Sequence, residues 1–93
     1  MSVNQTLEER GSRYGCYHDH ATASGALWEA MRAQPGWDRL TSAHKHAITM
    51  IAEKMGRILS GDPNYADNWH DIQGYARLGE QNSTPTQPEE NAG

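Results

Sequence analysis

The chain has no phenylalanine, a single cysteine and no long apolar run. Without phenylalanine, bulk in a core must come from its three tryptophans and four tyrosines, whose polar atoms need partners wherever they are buried. Cys16 alone cannot close an intramolecular disulfide, which agrees with a reducing compartment. Nothing approaches the run of about 20 apolar residues that a spanning helix needs. The start, MSVNQTLEERG, lacks the basic and apolar regions of a secretory signal, so a cytoplasmic protein with no membrane partner is expected. Positive charge is also scarce: 8 basic residues stand against 12 acidic ones, for a net charge of −4. With no basic stripe in any segment, duplex nucleic acid is excluded as a general partner.

What remains is enough for one small domain. Residues 1–80 carry all the large apolar side chains, and 81–93 form an acidic tail that is expected to be disordered, because it has nothing to bury. A domain of this size buries only roughly 60% of the surface its unfolded chain exposes. Self-association would complete so thin a core, so a homo-oligomer is expected.

The periodicity is helical throughout. In residues 1–13 only Val3 and Leu7 are sizeable apolar groups, and a short turn at Thr6 to Arg10 has weak support. Arg13-Tyr14-Gly15-Cys16-Tyr17 reads as an ordered loop between Gly11 and the first helix. From His18 or Asp19 to Ala33, the residues Ala21, Ser24, Leu27, Trp28 and Met31 fall on one side at spacings of three and four. Pro35-Gly36 ends that helix, and Trp37 and Leu40 cover the core from the connection. Thr41 or Ser42 caps a second helix that runs to Ser60, with Ile48, Ile51, Met55, Ile58 and Leu59 as an apolar stripe. Gly61-Asp62-Pro63-Asn64 is a turn short enough to force a third helix, Asn64 to Gly79, back beside the second. Tyr65, Trp69, Ile72, Tyr75, Ala76 and Leu78 are its packing residues. The expected architecture is all-α, a small helical bundle built on an antiparallel helix hairpin.

In that hairpin, positions equally far from Asp62 lie side by side, which places Arg57 near Asp67 and Lys54 near Asp71. Read structurally, this polar seam is a set of surface ion pairs worth about 0 to 1 kcal/mol each, with Glu53 and Arg57 paired along one helix. Read functionally, Lys54 and Arg57 hold a phosphate while a carboxylate holds a ribose, a base edge or a metal ion. Trp69, Tyr75, Tyr14 and Tyr65 offer flat faces for a base, although core filling is the better account of Trp69 and Tyr75.

Other chemistries have less to stand on. His44 and His46 are two apart on a helix and point away from each other, whereas His18 and His20 can share an ion if that segment is extended. No cysteine pair or HExxH accompanies them. His70-Asp71 is reminiscent of HD-type metal phosphohydrolases, but the chain is too short for that fold's other ligands. Nothing marks Cys16 as an activated thiolate, and Gly56 to Gly61 lacks the spacing and terminal Lys-Ser/Thr of a phosphate loop.

Arg13-Tyr14-Gly15, Lys54-Met55-Gly56-Arg57-Ile58 and, most specifically, Asp67-Asn68-Trp69-His70-Asp71-Ile72-Gln73-Gly74-Tyr75-Ala76 resemble small helical proteins encoded by phages and prophages. The likeness covers roughly residues 9–78. That group is loosely similar to nucleotide-modification-associated helical domains and, more remotely, to MazG-like nucleotide pyrophosphohydrolases. The resemblance implies a phage accessory protein, in the cytoplasm of a bacterial host cell, that works on or near nucleotides. MazG-like enzymes hold magnesium with an E-x-x-E pair on one helix and an E-x-x-D pair on the next; here Glu53 stands alone, and Asp67 and Asp71 are one residue too far apart.

The reading is therefore binding of a nucleotide or nucleotide-derived ligand, such as a cyclic nucleotide immune signal, without turnover and without a cofactor. The ligand-binding set is Arg13, Tyr14, Lys54, Arg57, Asp67, Trp69, Asp71 and Tyr75, with no residue assigned to catalysis or to a metal. Two alternatives stand beside it. One is a magnesium-dependent pyrophosphohydrolase using Glu53, Asp67 and Asp71, and the other is an adaptor that inhibits a host protein.

Overall fold

In the computed structural model, which describes residues 16–84, three α-helices and a short 3-10 helix follow one another. Helix α1 spans Tyr17–Arg32, the 3-10 helix Pro35–Arg39, α2 Ser42–Ser60 and α3 Ala66–Gln81. The described residues contain no strand, and no helix among them is long and apolar enough to cross a membrane. The readings for residues 1–15, including Arg13 and Tyr14, and for the tail beyond residue 84 lie outside the described residues.

Local chemistry sets the boundaries. Asp19 in the first turn of α1 and Arg32 in its last turn complement the helix dipole, and Pro35 stops its continuation. The Thr41 hydroxyl caps α2 by accepting the His44 N–H at 3.2 Å. Beyond Ser60, the Asp62 carboxylate takes the Asn64 N–H at 2.9 Å and the Asp62 carbonyl takes the Tyr65 N–H at 3.2 Å. Those two bonds use amides that the sequence reading gave to α3, so this helix starts at Ala66 rather than Asn64. It also runs past Gly79 to Gln81. There His44 Nε2 lies 3.0 Å from the Gly79 carbonyl and the Ser83 hydroxyl donates to the same oxygen at 2.9 Å. The end of α3 is thereby tied to the start of α2.

Helices α1 and α3 each pack on α2 and scarcely on one another. Gly56 marks the side of α2 facing α1: a Cβ there would fall far inside contact distance of Ser24 Oγ and 3.1 Å from the His20 carbonyl oxygen. Lys54 and Ala47 mark the side facing α3, against Asp71 and Gly79 respectively. Lys54 and Gly56 are two residues apart, about 200° around a helix, so the neighbours sit on opposite sides of α2 and the three helices form one layer.

This layer overturns the expected core. The apolar stripe of α2 lies about a quarter turn from both neighbours. Ile48, Ile51 and Ile58 are half-buried, Met55 is exposed and Leu59 is 68% exposed. Trp69, 51% exposed, opens onto the same face instead of filling a core. Trp28, Tyr17 and Leu78 are exposed too. The buried apolar residues are Ala47 and Ala52, and the buried polar ones are His20, Ser24, Lys54 and Asn68, the last only 1% exposed. Small side chains at the two helix contacts let the backbones approach closely, while Met55, Leu59 and Trp69 face outward on one side of the layer.

Candidate functional site

The opposite face of the layer is polar. On α2 it carries His46, Thr49, Glu53 and Arg57, which follow one another at spacings of three and four and so share a flank. On α3 it carries Asp67, Asp71 and Tyr75, a second i, i+4 series.

At its centre, Lys54 is buried and its ammonium stands 3.2 Å from Asp71 Oδ2, the juxtaposition expected from the hairpin spacing. A desolvated ammonium is costly without a counter-charge, so Asp71, itself half-exposed, is what permits the lysine at this position. Asp67 accepts the Tyr65 hydroxyl at 2.8 Å. Glu53 turns to the other neighbour, where its Oε2 lies 3.3 Å from His20 Nε2. Arg57 is half-buried on the same flank, and Tyr75 meets the His46 ring edge-on at 6.1 Å between centroids. A shallow hollow of about 440 Å³ opens beside Asp71, bounded by His70, Gly74, Tyr75 and Leu78.

Of the assigned residues, Lys54 and Asp71 are in contact, and Arg57, Asp67 and Tyr75 lie on the same face of the layer by their helical spacing. Trp69 does not join them. Two residues from both Asp67 and Asp71, it projects from the other flank of α3, and its indole N–H donates to the Pro63 carbonyl at 2.8 Å.

His18 and His20 are both on α1, not on an extended segment, so they diverge as His44 and His46 do. Among the described residues no group of three or more His, Cys, Asp or Glu side chains converges as a metal site would require. Cys16 is exposed at the start of α1.

A second cavity lies where the sequence reading placed nothing. Between α1 and α2, about 280 Å³ is lined by Tyr17, His20, Ser24 and Trp28 from one helix and Thr49 and Glu53 from the other. His20, Ser24 and Trp28 are each four residues apart; Ser24 and Trp28 belong to the stripe expected to face a core, and His20 does not. The Arg32 guanidinium stacks over the Trp28 ring at 4.5 Å.

A family model described as a domain of unknown function, DUF6378, matches residues 2–83, which include all three helices. No curated protein and no solved structure matches the chain.

Proposed function

The chain belongs to the DUF6378 family, and from that premise we propose that its polar face binds a nucleotide-like small molecule without turning it over. The observation that carries this reading is the partition of the three carboxylates. Glu53 faces His20, Asp67 takes the Tyr65 hydroxyl and Asp71 holds Lys54. Hydrolysis at a phosphate-bound magnesium needs several carboxylates on one ion. Here they are spread across the face, each drawn to its own neighbour, an arrangement that suits recognition.

In this reading Arg57 supplies the phosphate contact. Its guanidinium has five N–H donors in a planar fork, more than one protein acceptor uses, so it can keep a protein partner and still bind a ligand oxygen. Lys54, already neutralised by Asp71, sets the local charge and does not reach out for phosphate. The uncovered apolar face, with Met55, Leu59 and Trp69, is where a second copy completes the fold. A phage accessory role remains part of this reading on the strength of the sequence resemblance alone.

The test is direct: incubate the full-length protein with magnesium and a series of nucleotides, and separate free from bound and intact from cleaved material. Retention of intact nucleotide supports binding without turnover. Magnesium-dependent release of pyrophosphate or phosphate, lost in Asp71→Asn, would replace this reading with the pyrophosphohydrolase.

A further inference from the structure

The face of the layer opposite Arg57 and Asp71 carries large apolar groups and no charge from α2. Met55, Leu59 and Trp69 are exposed there, beside half-buried Ile48 and Ile51. The charged residues of α2 are directed elsewhere: Glu53 toward His20, Lys54 toward Asp71, Arg57 along the polar flank and Lys45 over the Trp37 ring at 5.6 Å. A partner recognised by charge finds nothing to hold on this side of α2. A partner with a bare apolar face of its own does, and this chain presents one.

Relief and charge say how a second copy lies. The exposed large groups, Met55, Leu59 and Trp69, stand toward the turn at Gly61 to Asn64, while toward the start of α2 the stripe continues through half-buried Ile51 and Ile48. Helices α1 and α3 both run against α2, with Ser24 at Gly56, Asp71 at Lys54 and Gly79 at Ala47, so each begins at the turn end. Among the described residues, Asp19, Asp62 and Asp67 outnumber Arg57 at that end. At the other end Arg32, Arg39, Lys45 and Arg77 outnumber Glu29, Asp38 and Glu80. Copies stacked in the same direction would set like-charged ends together and press Leu59 onto Leu59. Copies stacked in opposite directions set each acidic end over a basic end, and each Leu59 over the lower part of the stripe at Ile48 of the other copy.

We infer that this face is an interface between two copies of the chain, stacked face to face with their α2 helices antiparallel and crossing between Ile51 and Met55. The inference rests on the reading that a second copy covers the apolar face, and it is independent of the nucleotide reading. A two-fold axis lying in the interface closes the pair at two chains, with the polar face of each copy turned outward.

The test uses the full-length protein with Cys16→Ser, which removes its one native thiol, and a nitroxide spin label at Asn64→Cys or Ala43→Cys, both exposed positions. The protein should sediment as two chains. From a rise of 1.5 Å per residue, antiparallel α2 helices put the two Asn64 labels about 25 Å apart along the helix axis. In a mixture of the two singly labelled proteins, the Ala43 label of one copy should come within about 15 Å of the Asn64 label of the other. Asn64 labels only about 10 Å apart would show a parallel pair and overturn the orientation while leaving the second copy in place. Leu59→Lys should return the pair to single chains with unchanged helix content by circular dichroism, and a pair that persisted would put the interface elsewhere and overturn the inference. A labelled protein and a wild type that both sediment as single chains would overturn the inference together with the second copy, leaving residues 1–15 of the same chain or a different protein to cover the face. None of these outcomes depends on nucleotide binding, which the Arg57→Ala variant tests separately.

Discussion

Gly56 on α2 sits against Ser24 on α1 with no room for a methyl group between them. Alanine at position 56 would gain about 1 kcal/mol of intrinsic helix propensity, but it must displace a buried serine and press on the His20 backbone. Overpacking of this kind costs roughly 1 to 3 kcal/mol, so Gly56→Ala should lower the melting temperature despite the better helix former. Combined with Ser24→Gly, much of that loss should be recovered. A single substitution that left melting unchanged would mean that α1 does not lie where the structure puts it.

Lys54 and Asp71 yield a second expectation. The lysine is buried and the aspartate half-exposed, so Asp71→Asn should cost roughly 1 to 3 kcal/mol, between the values for exposed and buried pairs. Lys54→Met, which removes the buried charge while keeping its bulk, should cost less than Asp71→Asn. Chemical denaturation of both variants checks the order. The reverse order would show that the lysine contributes more than a tolerated charge.

The apolar face predicts association. Met55, Leu59 and Trp69 are exposed on one side of the layer, and a contiguous apolar patch of this kind is what a second copy covers. Light scattering at micromolar concentration should report more than one chain, and Leu59→Lys should shift the protein toward monomer. A wild-type protein that stays monomeric at those concentrations would leave this face for a different partner.

At the far end of the hairpin, His44 tests the tie between α2 and α3. A carbonyl oxygen only accepts, so the ring nitrogen 3.0 Å from Gly79 carries the proton in this arrangement. His44→Ala should cost about 1 kcal/mol and speed amide hydrogen exchange in the last turn of α3. Exchange that remained as slow as in wild type would show that Ser83 holds this helix end by itself.

The sequence made the local features legible. Thr41 is a good cap, Gly61 to Asn64 can only be a turn, and a turn that short places Lys54 beside Asp71 whatever else the chain does. The placement of α1 was not legible, because nothing in the hairpin says which side of α2 it will take. Once α1 covers Gly56, the stripe at Ile51, Met55 and Leu59 is left facing outward, and His20, Ser24 and Glu53 come together. Trp69 was grouped with Asp67 and Asp71 by closeness in sequence, yet two residues along a helix reverse the direction of a side chain. Trp28 is the tryptophan on the polar face, and its spacing from His20 and Ser24 was the available sign.

The central claim, nucleotide binding on the polar face, is tested most directly by calorimetry with mono-, di- and cyclic nucleotides on wild type and Arg57→Ala. If Arg57 meets the phosphate, wild type should release heat with at least one of these ligands. Arg57→Ala should lose about tenfold or more of that affinity while costing no more than about 1 kcal/mol of stability, the worth of one partly exposed side-chain contact, since a charge-assisted phosphate bond is absent without ligand. No binding by wild type across the whole series, or binding that Arg57→Ala leaves unchanged, would contradict the account.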